Sequence, residues 1–139
     1  MFRLAMYKGK GNPFNALVRF WDSGIYSHCE LVFSDGLCGS ASYQDGRKVR
    51  SKFINFNPDH WDFIELPARM EFEARLFLQQ TEGIKYDLLG QLRFFVSPFH
   101  GQRDKYWCSE WIAAALGMQD PWRYGPNGLY AALTSLKVN

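Results

Sequence analysis

The sequence is poor in several features that would have declared its class. It has three cysteines in 139 residues: Cys29, Cys38 and Cys108. An odd number at these spacings gives no disulfide framework, and fits a reducing compartment or one pair plus a free thiol. Neither a C-x-x-C motif nor a histidine pair at helical spacing occurs among these cysteines and His28, His60 and His100, so no metal site is expected. The G-x-S-x-G elbow of serine hydrolases is absent. Gly9 and Gly11 lack the rest of a phosphate-binding fingerprint, and no cofactor is expected. The net charge of +2 is too small to argue for nucleic acid. No apolar run approaches the ~20 residues of a membrane-spanning helix. Met1 to Lys8 has no long apolar core and no small-residue cleavage site. The expectation is therefore a chain kept in the cytoplasm, leaving it only by lysis or within a particle. No repeat, low-complexity tract or linker divides the sequence, and a single domain over 1–139 is expected.

What is present is a large aromatic complement: twelve Phe, seven Tyr and five Trp. These suit a bulky core and an aromatic-lined groove. The order of patterns predicts an α+β domain with an antiparallel sheet packed against helices. Phe2 to Tyr7 reads as a strand. Asn12 caps a helix with Pro13 at its first position, and Phe14, Leu17, Val18 and Trp21 share one face. Ile25 to Phe33 and Leu37 to Tyr43 form a hairpin closed by Ser34-Asp35-Gly36, with Gly36 at the left-handed position. That register sets Glu30 opposite Ser40 and His28 opposite Ser42. His28, Glu30, Ser40 and Ser42 then make one polar patch, while Cys29 and Leu31 face the other way.

Asp45 to Lys52 reads as a basic turn, either solvated or touching an anionic partner, before a strand at Phe53-Ile54-Asn55-Phe56. Trp61 to Leu66 alternates like another strand, and His60 before it sits in a loop. Glu71 to Thr81 is predicted as a helix with Phe72, Leu76 and Gln79 or Gln80 on successive turns. A further helix is expected from Leu88 to Phe95, then a loop from Ser97 to Asp104, and a terminal helix from Leu129 to Leu136.

The stretch with chemical potential is Tyr106-Trp107-Cys108-Ser109-Glu110-Trp111-Ile112. Trp111, Ile112, Ala115 and Leu116 recur at helical spacing, and Gly117 stops the run. Cys108 therefore stands at a helix start, where the dipole and unpaired N–H groups favour a thiolate. Those N–H groups also suit a developing oxyanion. A nucleophilic thiol needs a base held by a third polar group. His28 is the best-placed base because it shares a strand face with Glu30, whose carboxylate favours the protonated ring. Ser40 and Ser42 would serve the same end more weakly. His100, in a loop bounded by Pro and Gly, ranks second to His28.

These residues resemble the NlpC/P60 group of papain-like cysteine hydrolases. In that family a G-x-x-Y segment precedes a Cys-Ser at a helix start; here Gly83-Ile84-Lys85-Tyr86 precedes Cys108-Ser109. The family's histidine strand follows the cysteine, whereas here Ser27-His28-Cys29-Glu30-Leu31-Val32 comes before it. That order is similar to the circularly permuted branch, with the YiiX/YebB-like proteins, the lecithin:retinol acyltransferase group and small phage proteins. The resemblance implies a papain-like fold, Cys108 as nucleophile, His28 as base, and Tyr86 lending its hydroxyl to the oxyanion beside the Cys108 N–H. It puts the third residue at Ser40; Glu30 is preferred because a carboxylate polarises imidazole better than a hydroxyl. The implied activity is hydrolysis or transfer at a peptide, amide or lipid-ester carbonyl, without nucleic acid. The competing expectation is a non-catalytic module of a phage particle or a host-binding protein, with Trp107, Trp111 and Trp122 as exposed contacts.

Overall fold

The computed structural model describes residues 1–10, 13–22, 24–89 and 105–136. Five strands are β1 (Arg3–Tyr7), β2 (His28–Val32), β3 (Leu37–Ser42), β4 (Lys48–Phe53) and β5 (Trp61–Glu65). Among the described residues the α-helices are α1 (Pro13–Trp21), α2 (Glu71–Thr81), α3 (Cys108–Ala115) and α4 (Pro126–Ser135). The strands form one antiparallel sheet in the order β4-β3-β2-β1-β5. The domain is thus α+β, as the order of patterns predicts.

The hairpin register follows from its turn. Gly36 takes φ 88°, a conformation that a side chain disfavours. Leu31 pairs with Gly39 and Val32 with Cys38. One sheet face carries Leu4, Met6, Cys29, Leu31, Ala41, Val49 and Ile64 into the main core, beneath α3. Trp111 of α3 is fully buried there, and its indole N–H donates to Thr81 Oγ1 at 2.8 Å. Gly39 makes room for it: a Cβ on Gly39 would lie 3.1 Å from the Trp111 ring.

The opposite face is covered by the chain itself. β4 and β5 are the two edges of the sheet, four strand spacings apart, or about 19 Å. Residues 54–60 join them: 54–57 carry no regular structure and 58–60 form a turn, in which His60 N donates to Asn57 O at 2.9 Å. This strap packs Ile54 and Phe56, with Trp61 at its end, over Ala5, Val32 and Cys38. With Phe14 and Asn15 of α1, Ile54 and Trp61 line the cavity beside His28, Glu30 and Ser42 on this face.

Five expectations need correction. The segment Lys48–Phe53 is a strand rather than a turn, because Val49 alternates into the core while Arg50 turns to the other face and meets a carboxylate. Residues 54–56 belong to the strap. In α2 the buried face is Ala74, Leu78 and Thr81, with Phe72 67% exposed; small Ala74 and Thr81 let the helix approach the bulk of α3. In α1 Val18 is buried but Leu17 is exposed. The last helix begins at Pro126, three residues earlier than predicted. The expected cap Asn12, most of the expected helix 88–95 and the loop with His100 lie outside the described residues.

Candidate active site

The site forms where the first residue of β2 meets the first residue of α3. Trp107 precedes the helix in an extended conformation, φ −95° and ψ 172°, and Cys108 opens the first turn. Trp107 is 1% exposed, and its indole N–H donates to Tyr124 O at 3.2 Å. Ser109 Oγ donates to the same carbonyl at 2.7 Å. Both residues flanking Cys108 are therefore anchored, which fixes the thiol on the sheet. The expectation that Trp107 and Trp111 are exposed contacts is wrong: both are core residues, because the helix turns them toward the sheet and α2. Trp122 is half-buried.

Cys108 is 1% exposed. Its sulfur interacts with the His28 ring, with the Cys29 thiol and with the Cys29 backbone N–H. The thiol bond from Cys29 works against burial and, with His28, holds Cys108 well below the ordinary thiol range. Burial pushes Cys29 well above that range, and its bond to Cys108 adds to the rise. Of the two sulfurs, the shifts favour the thiolate at Cys108, which also has the His28 ring beside it. Burial alone would lower the His28 pKa, but the bonds to Cys108 and Glu30 outweigh it and raise it to about 9.

His28 Nε2 lies 2.6 Å from Glu30 Oε1. Glu30 is 1% exposed, and an isolated carboxylate so placed would be strongly disfavoured. Arg50 offsets this with a two-pronged contact. Its Nη1 donates to Glu30 Oε2 at 2.7 Å and its Nη2 to Glu30 Oε1. Arg50 Nε also donates to Asp45 Oδ2 at 3.0 Å, and Lys52 Nζ donates to the same oxygen at 2.6 Å. The result is a row of alternating charge from Lys52 through Asp45, Arg50 and Glu30 to His28. Burial raises the Glu30 carboxyl, yet Arg50 and His28 overcome it and hold the pKa low.

Register explains the row. Arg50 pairs with Ser40, and the β2–β3 register continues to set Ser40 opposite Glu30. Arg50 must reach across one intervening strand, about 10 Å in all. A small residue at position 40 leaves the path clear. Ser40 Oγ turns away and donates to Cys29 O at 2.8 Å, while Ser42 Oγ meets Asp45. The four polar residues share a face as expected, but the contact to the His28 ring comes from Glu30. Arg50 and Asp45 are the site residues that the sequence reading misses. The signal for them is a buried-face Glu two strands from an alternating Val49-Arg50 step.

A cavity of about 310 Å³ opens at His28, walled by Tyr7, Phe14, Tyr43, Trp61 and Tyr86, with Lys52 and Asp45 at the polar side. Cys108 does not line it. Tyr86 is 8% exposed and packs edge-on against Tyr43, ring centres 5.9 Å apart. It bridges to Tyr106, and Asp87 N donates to Tyr106 O at 2.9 Å. The Gly83–Tyr86 segment is thereby laid alongside the residues that lead into Cys108. His60 stands apart in the turn before β5, its carbonyl accepting from Lys8 N at 2.8 Å. Among the described residues no group of three His, Cys, Asp or Glu is arranged to hold a metal, and no helix is long and apolar enough to cross a membrane. No protein-family model, curated protein or solved structure matches this chain.

Proposed function

We propose that this domain is a cysteine-dependent hydrolase or acyltransferase, built on a circularly permuted papain-like fold of the NlpC/P60 kind. The observation that carries the reading is the contact of a helix-start thiol with an imidazole whose other partner is a buried, Arg-held carboxylate. A base, an orienting group and a nucleophile so linked are the elements of covalent acyl transfer.

In this reading the Cys108 thiolate adds to a carbonyl carbon. The oxyanion is held by the Cys108 N–H at the helix start, with the Tyr86 hydroxyl beside it. The protonated His28 ring gives its proton to the leaving amine or alcohol, leaving a thioester on Cys108. Neutral His28 then takes a proton from water, or from another acceptor, as it attacks the thioester. Glu30 stabilises the imidazolium throughout, and Arg50 keeps Glu30 ionised. The aromatic walls of the cavity suit an acyl or peptide group of a peptide, amide or lipid-ester substrate.

The test is the rate of iodoacetamide alkylation at Cys108 across pH 4–9, read by peptide mass spectrometry so that Cys29 and Cys38 need not be altered. Reaction already fast near pH 5–6, and lost in His28→Ala, is expected of a working Cys–His pair. A rate that climbs only near pH 8.5 and ignores His28→Ala refutes it.

The near-complete burial of Cys108 favours a second reading, a non-catalytic module of a phage particle or a host-binding protein. It predicts a native Cys108 that no alkylating reagent reaches at any pH in that range.

A further inference from the structure

Ser27 is 3% exposed, and among the described residues its Oγ is the one buried side-chain oxygen or nitrogen without a hydrogen-bond partner. Such groups are rare in folded proteins, and each asks for an explanation. The backbone here is not loose: Ser27 N donates to Tyr7 O at 3.0 Å. The hydroxyl is therefore held in place without being used by the fold.

Its location says what it is for. Ser27 lines the same cavity as His28 and Tyr86. It directly precedes His28, the first residue of β2, and Cys29 follows. The Cys29 thiol and backbone N–H both touch the Cys108 sulfur. The sulfur thus lies at the start of β2, where His28 and Cys29 both act on it. An uncommitted donor on a residue that lines the cavity and adjoins His28 is available to an oxygen that arrives only with substrate.

We propose that Ser27 Oγ donates a hydrogen bond to the carbonyl oxygen of the acyl substrate as the Cys108 thiolate adds to it. This deepens the proposed function and rests on it. The sulfur lone pair forms the S–C bond, and the C=O pair moves onto oxygen, where the Ser27 O–H meets the growing negative charge. Collapse restores the carbonyl and breaks the bond to the leaving group, which departs with the proton from His28 or, for an acidic phenol, as the anion. A trapped water is the rival occupant of the site, and it would leave catalysis indifferent to Ser27.

The experiment compares wild type, Ser27→Ala and Ser27→Thr in the full chain, with two reagents at Cys108. p-Nitrophenyl acetate acylates through an oxyanion; iodoacetamide alkylates by direct displacement and forms none. Acylation is followed by p-nitrophenolate release and by intact mass. Ser27→Ala is expected to slow acylation by about 100-fold, the scale of losing one oxyanion donor. Its iodoacetamide rate should stay within about twofold, because the thiolate is untouched. Its thermal midpoint should be unchanged or higher, since an unsatisfied hydroxyl has been removed. Ser27→Thr, which keeps the hydroxyl, should recover most of the acylation rate. Acylation within about twofold of wild type in Ser27→Ala overturns the proposal and leaves the Cys–His reading standing. An equal slowing with both reagents also overturns it, because Ser27 would then support the thiol rather than the carbonyl. A wild type in which neither reagent modifies Cys108 refutes the enzyme reading and this role together.

Discussion

Replacing Arg50 by Met tests the electrostatic frame of the site most directly. Glu30 is 1% exposed and the Arg50 side chain 9%, so solvent screens the pair little. Arg50→Met keeps most of the side-chain volume and removes both donors to Glu30. Breaking a buried pair by deleting one partner costs about 3–5 kcal/mol. For 139 residues the unfolding entropy near the midpoint is about 0.3 kcal/mol/K, so the midpoint should fall by about 10–17 °C. Urea unfolding at pH 7 gives the same quantity independently. The pH dependence carries a sign. In the wild type Glu30 is held below its ordinary range, so its contribution is present above about pH 4.3 and is lost as pH falls through the lowered value. In Arg50→Met burial is no longer offset by the guanidinium and the carboxyl shifts upward. The gap between variant and wild type should therefore be widest near pH 7 and close as the solution is acidified. The double variant Glu30→Gln/Arg50→Met should be less damaged than the sum of the singles by about 2 kcal/mol. A loss below about 1 kcal/mol, or strict additivity in the double variant, refutes the claim that the two act as a unit.

Three further outcomes follow from the same geometry. The raised His28 pKa gives stability that is fully present below about pH 6.5 and lost as pH rises through about 9, while the lowered Cys108 pKa gives the opposite trend. The two oppose each other in the wild type, so in Cys108→Ala the unfolding free energy should fall as pH rises above about 6.5; a flat profile there would show that Glu30 does not hold the imidazolium. Cys29→Ala removes the thiol that bonds to the Cys108 sulfur and should move the Cys108 alkylation profile to higher pH. Cys38→Ala, in the cluster on the other sheet face, should leave the profile in place, and equal shifts in both would sink the pairing of Cys29 with Cys108. Burial, with the nearby Asp87, raises Glu110 to about 8 despite its bond to Trp107 N–H. Its ionisation therefore favours the unfolded chain increasingly between about pH 4.5 and 8. Glu110→Gln should raise the melting temperature at pH 8 and not at pH 4, and a drop at both would refute the assignment.

The parts of the fold legible in the sequence are those fixed by local chemistry. Gly36 at a left-handed position sets the hairpin, and with it the facing of His28 and Glu30. Trp111, Ile112 and Ala115 mark the helix that carries Cys108, and Gly117 ends it at φ 70°. What was not legible depends on pairings distant in sequence. The Lys48–Lys52 segment looks like a solvated turn until Glu30, twenty residues earlier, demands a cation. Cys29 points away from the polar patch, as alternation requires, yet reaches Cys108 because α3 lies on that face. The buried face of α2 is set by the shape of its neighbour, which its own periodicity cannot encode.

The strap from β4 to β5 bears on when the site comes into being. β1 lies one strand in from the edge of the sheet, and its edge partner β5 begins more than fifty residues further on. Such a pairing closes a long loop and belongs among the slower steps of folding. Until β5 docks, residues 54–60 have no second anchor, and the face carrying Glu30 stays wet. In water a Glu–Arg contact is weak and a neighbouring imidazole titrates near its free value. The chain thus acquires its shifted ionisation only on completing the sheet, and a half-folded molecule would carry the thiol and the imidazole without their charges.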